Sequence, residues 1–281
     1  MQDKIYYYNH NNRLMLVLNN YPYFADPSDF KDWSWDYSET YGIISNFHRT
    51  KSEYTLNIGI ATDFLKYHDQ LCDIFTADIL AGEPGYLMLR GWKLKCYITE
   101  AGYSYGHDLD RQAKFKVLST DKVWSRSTMR HFNGADGKVT GSSETDMWRD
   151  YIWSDGAGRR GYNYNYNVGH SANVSIDVPG SENGYILTIY GPATDPTVYI
   201  NNIPVSVKIA LEAGEQLRIT SIGNDKRIEK LSSAGEATNI FNLRDKEHSQ
   251  FLTLGSHIDI TYGQLKFDME IVERRSEPSW S

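Results

Sequence analysis

Gln216-Leu-Arg-Ile-Thr220 opens the stretch of sequence that decides the fold, in which apolar and polar residues alternate. The turn Gly223-Asn-Asp-Lys226 follows, and Arg227-Ile-Glu-Lys-Leu231 returns with the same alternation. Four further apolar segments continue the pattern, at 239–243, 251–254, 258–262 and 265–271. Alternation places apolar side chains on one face of a sheet and polar side chains on the other. Short strands joined by tight turns at this spacing predict a β-sandwich or barrel.

The beginning of the chain predicts a second β domain that carries one helix. Two β-hairpins are indicated, one by Lys4–Tyr8 with Arg13–Leu18 around an Asn-rich turn, the other by Tyr86–Ile98. Single strands are predicted at Tyr41–Phe47, Glu53–Ile60 and Ala113–Leu118, and an irregular segment at Tyr21–Trp35.

The helix is predicted over Thr62–Leu80, with Thr62 as its N-cap. Its apolar residues recur at three- and four-residue steps, so we expect one stripe to cover a sheet. The stripe consists of Phe64, Leu65, His68, Leu71, Cys72, Phe75 and Ile79.

The predicted fold class is therefore mainly β, with three parts. Residues 1–132 form an N-terminal β domain with the helix at 62–80, residues 133–161 a Gly- and Trp-rich linker or extended arm, and residues 162–281 a C-terminal β-sandwich. The middle part carries Trp148 and Trp153, which predict that it packs against some other surface instead of remaining free.

Composition excludes several classes of protein. The net charge of −7 and pI near 5.6 argue against a general nucleic-acid binder, which would present a basic face. We expect the two cysteines, Cys72 and Cys96, to be buried free thiols. The N-terminus lacks the basic and apolar regions of a signal peptide, and no apolar run approaches the roughly 20 residues of a membrane helix.

No motif predicts catalysis. Gly102-Tyr-Ser-Tyr-Gly106 matches the nucleophile elbow of serine hydrolases, but the residues after it indicate a loop and a strand instead of the required helix. His107, Asp108 and Asp110 lack the spacing of an EF-hand or a zinc site, and the pair Glu144 and Asp146 is a common feature of acidic chains. We expect no enzyme activity, no catalytic residue, no metal and no cofactor.

The tryptophans leave alternatives open. Trp33, Trp35, Trp148 and Trp153 could stack on sugar rings, anchor a protein–protein interface, or be partly buried in their own domain. The alternative function is therefore a carbohydrate-binding or receptor-binding module that contacts a host surface glycan through the C-terminal sandwich, Trp148 and Trp153.

Two groups of segments carry a family resemblance. The first comprises Arg90–Ile98 and Arg111–Val117, which resemble paired strands before a linker. The second is a closing run made of Gly214–Ile219, Lys226–Lys230, Asn239–Asn242 and Ser249–Leu254. On these segments the chain resembles the distal tail (Dit) proteins of siphophages and related prophages. It departs from them in the length of 133–161.

The resemblance implies a structural role in the virion tail. Six copies would form a ring between the tail tube protein and the tail tip or baseplate proteins, with a galectin-like or carbohydrate-module-like C-terminal sandwich projecting outward. It carries over no catalytic residue, no sequence-specific contact with nucleic acid and no membrane insertion.

Hairpin edges are the predicted contacts between subunits, because an exposed edge can add a strand to a neighbour. These contacts are predicted at Tyr6, Tyr8, Leu14, Leu16, Trp92 and Leu94.

Overall fold

A computed structural model describes residues 4–11, 14–105, 111–133, 138–141, 166–167, 173–178, 180 and 182–279. The fold is mainly β with one α-helix, as predicted. The chain divides into two compact units, one formed by Met1–Arg126 with Arg275–Ser281 and the other by Ser127–Arg274. The predicted boundaries at 132 and 161 stay a prediction, because 134–137 and 142–165 lie outside the described residues.

The described residues of the first unit form nine strands, a helix and a short 3-10 helix at Ser28–Lys31. The strands are β1 (Ile5–Tyr8), β2 (Met15–Val17), β3 (Tyr23–Asp26), β4 (Trp35–Thr40), β5 (Ile43–Arg49), β6 (Glu53–Ile60), β7 (Gly85–Leu89), β8 (Trp92–Tyr105) and β9 (Arg111–Ser119). Both predicted hairpins are confirmed: β1 pairs with β2, and β7 with β8. The segment predicted to be irregular contains β3, which pairs with β6.

Seven of these strands form a closed order. Antiparallel pairs connect β2, β1, β7, β8, β9, β6 and β3 in sequence. Leu18, which follows β2, donates its N–H to the Ile5 carbonyl and accepts the Ala25 N–H, both at 2.8 Å. The first bond extends the β1–β2 pair, and the second joins the residue after β2 to β3, so the two ends of the strand order meet there.

The helix α1 (Phe64–Ala81) covers the apolar side of these strands, and its buried stripe agrees with the predicted one at Phe64, Leu71 and Phe75. Its buried residues are Phe64, Leu71, Phe75 and Asp78, whereas Leu65 and Ile79 are exposed. A step of one residue turns a helix by about 100°, so residues next to the stripe leave the core. The N-cap is Asp63, with left-handed backbone and no side-chain cap, and the expectation of a Thr62 cap was wrong.

One apolar cluster fills the first unit. Phe75 contacts Tyr7 edge-on with ring centroids 4.8 Å apart and Phe115 at 5.2 Å, which fixes the helix against β1 and β9. Cys96 is buried and Cys72 half-buried, and both are free thiols, as expected. Burial raises the pKa of the Cys96 thiol to about 12, so it stays protonated at neutral pH.

The second unit contains the remaining strands and a 3-10 helix at Phe241–Leu243. They are β10 (Trp124–Asn133), which enters from the first unit, β11 (Lys138–Gly141), β12 (Tyr166–Asn167), β13 (Asn173–Asp177), β14 (Gly184–Tyr190), β15 (Ala193–Thr194), β16 (Thr197–Ile200), β17 (Ile203–Ser206), β18 (Ala210–Leu211), β19 (Gln216–Ile222), β20 (Asp225–Leu231), β21 (Ala237–Asn239), β22 (His257–Tyr262) and β23 (Lys266–Arg275).

Two sheets of the second unit face one apolar cluster. The larger has the order β12-β11-β10-β23-β14-β19-β20-β21, and the smaller β13-β22-β16-β17. Leu187 and Ile219 from the larger sheet and Ile200 and Ile260 from the smaller one are fully buried in this cluster. The alternating pattern that opens the sequence analysis therefore forms β19, β20, β22 and β23 as predicted.

Two predicted strands are not regular strands. At 239–243 the chain forms a 3-10 helix after β21, and within 251–254 only Leu254 makes an isolated bridge, to Asn183. Two backbone carbonyls in and next to the second segment accept hydrogen bonds from side chains. The Gln250 carbonyl accepts the Tyr185 hydroxyl, and the Leu252 carbonyl accepts the Ser221 hydroxyl. Backbone acceptors used in this way are not available to a strand ladder.

Candidate functional site

The β4–β5 hairpin of the first unit stands apart from the closed strand order. Its strands pair with each other and with no other strand of the described chain. Tyr41 and Gly42 form its turn with left-handed backbone, at φ 52° and 75°, as tight two-residue hairpin turns require. Nearly every residue of the two strands is exposed.

The hairpin is amphipathic even though both of its faces are open. Residues 35, 37 and 39 alternate onto one face, opposite Arg49, Phe47 and Ile44, and a bulge with left-handed backbone at Asn46 keeps this register. We call the apolar side chains of this face, Trp35, Tyr37, Ile44 and Phe47, the hairpin face; they are 37%, 49%, 52% and 62% exposed. The opposite face is more polar, with Asp36 beside His48 at 3.9 Å, two serines and Thr40, and it carries one apolar side chain, Ile43, near the turn.

Contacts within the hairpin leave its apolar face accessible. The Tyr37 and Phe47 rings lie 6.0 Å apart, and the Arg49 guanidinium lies 4.6 Å from the centre of the Trp35 ring. A two-stranded hairpin alone is marginally stable in water, and a contiguous exposed patch of aromatic residues is typical of an interface. The hairpin face is therefore the candidate interface of the first unit.

The residues predicted as subunit contacts occupy different positions. Tyr8, Trp92 and Leu94 are buried in the first unit, because β1 lies between β2 and β7 and β8 lies between β7 and β9. Tyr6 and Leu16 are half-buried and Leu14 is 37% exposed. Because their side chains are buried, Tyr8, Trp92 and Leu94 do not fit the predicted role of subunit contacts. For Tyr6, Leu14 and Leu16, a subunit contact stays a prediction.

Sequence reasoning found only half of the hairpin. It predicted a strand at Tyr41–Phe47 and considered Trp33 and Trp35 for an interface, but gave the strand no partner. The sequence feature that could have revealed the partner strand is the pair Tyr41-Gly42, which is typical of a tight turn between two strands.

A polar groove of about 680 Å³ crosses the outer faces of β6, β8 and β9. Two of its lysines are paired: Lys116 lies 3.1 Å from Glu53 and 3.2 Å from Glu100, and Lys51 lies 3.2 Å from Asp29. Glu53 and Glu100 raise the pKa of Lys116, which therefore stays charged. The groove presents no nucleophile beside a base among the described residues.

The motifs considered for chemistry gain no support. Ser104 lies within β8 opposite Gln112, and the next described element is the strand β9, so a strand-turn-helix elbow is not formed by the described residues. The other candidates, His107, Asp108, Asp110, Glu144, Asp146, Trp148 and Trp153, lie outside the described residues, and glycan contact at the two tryptophans stays a prediction.

Asp245, Glu247 and His248 bring potential metal ligands within 4.8 Å of one another. The Glu247 backbone N–H donates to Asp245 at 3.0 Å, and this bond, followed by the His248 contact, lowers the pKa of Asp245. Glu247 and His248 are exposed, so the three residues form an ordinary surface turn. Across the described part of the chain, no helix has the length and apolarity to cross a membrane.

Three solved structures with a similar fold are two of a phage baseplate and one of a phage Dit protein. A chain of the phage P2 baseplate in its activated conformation with Ca is 14% identical, with a TM-score of 0.59 and coverage of 99% of this chain and 100% of that chain. The same baseplate with Sr gives 14% identity, a TM-score of 0.57, and coverage of 99% and 100%. The Dit protein of phage SPP1, described as a paradigm of the hub adsorption apparatus in phages that infect Gram-positive bacteria, is 8% identical, with a TM-score of 0.55 and coverage of 87% and 88%.

No protein-family model and no curated protein matches the chain. At identities of 8% to 14% the likeness establishes the fold alone. The chain therefore has a Dit-like fold over nearly its whole length.

Proposed function

We propose that this protein is a structural subunit of a phage or prophage-derived tail, which associates with copies of itself into a hub ring between the tail tube and the tail tip or baseplate. The observation that carries the proposal is the hairpin face, an uncovered apolar surface on a Dit-like fold.

A second copy of this chain is the occupant that the hairpin face fits best. The face lies on a two-stranded element that the described residues of its own unit leave exposed, and a neighbour that covered it would stabilise the hairpin. A ring requires a heterologous contact, so we propose that the hairpin face of one copy meets a different surface of the next copy. Heterologous contacts close into rings when the rotation allows.

The number of copies and the partners rest on the likeness to hub chains. Six copies is the number we propose, with the tube protein on one side of the ring and tip proteins on the other, in the virion tail. The role is structural and non-enzymatic. A net charge of −7 suits a ring whose hole passes DNA, because like charges do not adhere.

The test is the mass of the purified full chain, measured by light scattering on a sizing column, with negative-stain images of the peak. We expect a ring of six for the natural sequence and loss of the ring for the double variant Tyr37→Ser/Phe47→Ser. The matched control, Ser38→Ala/Ser45→Ala, changes a cross-strand pair on the opposite face of the same hairpin and should leave the ring intact. A monomer at every concentration, or rings in the Tyr37→Ser/Phe47→Ser variant, would contradict the proposal.

A further inference from the structure

We infer that residues Arg275–Ser279, which we call the returning segment, form a positioning clamp that fixes the direction of the β4–β5 hairpin. The effect of this clamp on assembly rests on the proposed function, whereas the clamp itself is a property of the single chain. The segment belongs to the first unit although it follows directly from β23 of the second.

Arg49 connects the hairpin to the returning segment. Its Nε–H donates to the Ser276 hydroxyl at 3.0 Å in a partly buried position, and its guanidinium lies 4.6 Å from the centre of the Trp35 ring. Trp35 is paired opposite Arg49 at the open end of the hairpin, where a small rotation moves the turn the furthest. One side chain thus binds both strands at their base to a segment 227 residues away in sequence.

The returning segment is itself held in place. The Arg275 guanidinium lies 5.7 Å from the centre of the Trp92 ring, and the Arg126 guanidinium lies 4.9 Å from it. Trp92 is 1% exposed, so this ring is a fixed point of the first unit. Pro278 is buried as well. Because Arg275 and Pro278 hold the chain on either side of Ser276, the Ser276 hydroxyl has a fixed position relative to the core. Its hydrogen bond therefore restrains Arg49.

The rest of the hairpin base is braced by residues close to it in sequence. Thr50 donates its N–H to the Ser34 carbonyl at 3.0 Å, and the two hydroxyls lie 2.7 Å apart. Lys51 lies 3.2 Å from Asp29 and 3.6 Å from Asp32. These contacts hold the two strands together and tie the base to the neighbouring 3-10 helix, and the Ser276 contact adds a restraint from a distant segment. Such preorganisation favours association because less freedom is lost on binding.

The test compares Ser276→Ala, Ser276→Thr and Arg49→Lys in the full chain. Hydrogen exchange of the hairpin amides is measured at a dilution where the chain is monomeric, and the association constant is measured by sedimentation. We expect Ser276→Ala and Arg49→Lys to exchange about tenfold faster within β4 and β5, because a hydrogen bond to a charged group is lost. Ser276→Thr keeps the hydroxyl and should restore slow exchange. Ser38→Ala serves as the control, because Ser38 pairs with Ser45 and not with Arg49. This substitution should leave the exchange rate of the hairpin unchanged.

The outcomes separate the two proposals. Faster hairpin exchange with an unchanged rate in β6 and β9, and a matching loss in the association constant, supports the clamp. Equal hairpin exchange in Ser276→Ala and the natural sequence overturns the clamp, whether or not rings form. If the natural sequence never associates, the proposed function fails, and the exchange comparison still decides the clamp.

Discussion

Asp78 lies on the buried side of α1, where its carboxylate accepts three hydrogen bonds. The donors are the Tyr7 hydroxyl, the His10 backbone N–H at 3.1 Å and His10 Nδ1 at 2.6 Å. Burial, followed by the bond to Asp78, raises the pKa of Tyr7, which keeps the hydroxyl protonated as a donor. The carboxylate thereby joins the end of the helix to β1 and the turn after it.

We expect Asp78→Ala to lower the free energy of unfolding by about 3 kcal/mol or more, because it leaves buried donors without an acceptor. Chemical denaturation followed by circular dichroism measures the change. Asp73→Ala is the control, since Asp73 is an exposed aspartate of the same helix and should change stability by less than about 0.5 kcal/mol. Equal effects of the two substitutions would remove Asp78 from the core network.

His257 lies on the exposed face of β22, between two carboxylates. Its Nδ1 is 2.7 Å from Asp177 and its Nε2 is 3.3 Å from Asp259. The hydrogen bond to Asp177, followed by the charge of Asp259, raises the pKa of His257 above its ordinary value of 6.5. The stabilisation from this group is therefore fully present below the unfolded-state pKa and is lost as the pH rises through the higher folded-state pKa.

An NMR titration of the imidazole measures this shift. We expect the pKa of His257 to lie above 6.5 and to fall in Asp177→Asn, which keeps the shape of the side chain and removes its charge. Asp121→Asn, on an exposed turn of the first unit, should leave the His257 titration unchanged. A His257 pKa at or below the ordinary value contradicts the geometry.

Elements were predictable where their pattern is local. The alternation in β19, β20 and β23 and the turns of the β1–β2 and β7–β8 hairpins identify strands without reference to distant residues. Which strands pair with one another is not visible in such local patterns. For this reason β4 was missed, and β8, which begins at Trp92, was predicted to have an exposed edge. The stripe of α1 was predicted correctly at Phe64, Leu71 and Phe75, whereas Leu65 and Ile79 are exposed. Asp78 was missed because the partners that it binds on the buried side, Tyr7 and His10, lie about 70 residues away in sequence.

The two units have separate cores, with no residue common to the two buried clusters. Phe75→Ala should destabilise the first unit by about 3–5 kcal/mol and Ile219→Ala the second by about 2–5 kcal/mol. Hydrogen exchange should lose protection in β8 and β9 for the first variant and in β14 and β19 for the second. Leu80→Ala is the control, because Leu80 is 82% exposed on α1. Loss of protection spread equally over both units would show that they unfold as one.

The returning segment also imposes an order in time on the chain. A ribosome makes the β4–β5 hairpin early, but Ser276 follows Arg49 by 227 residues. At about 5–20 residues per second, that interval lasts roughly 10–45 s. During synthesis the Arg49–Ser276 hydrogen bond is therefore the last of these restraints to form, and under the proposed function each chain offers a fixed hairpin face to its neighbours only after its returning segment has been made.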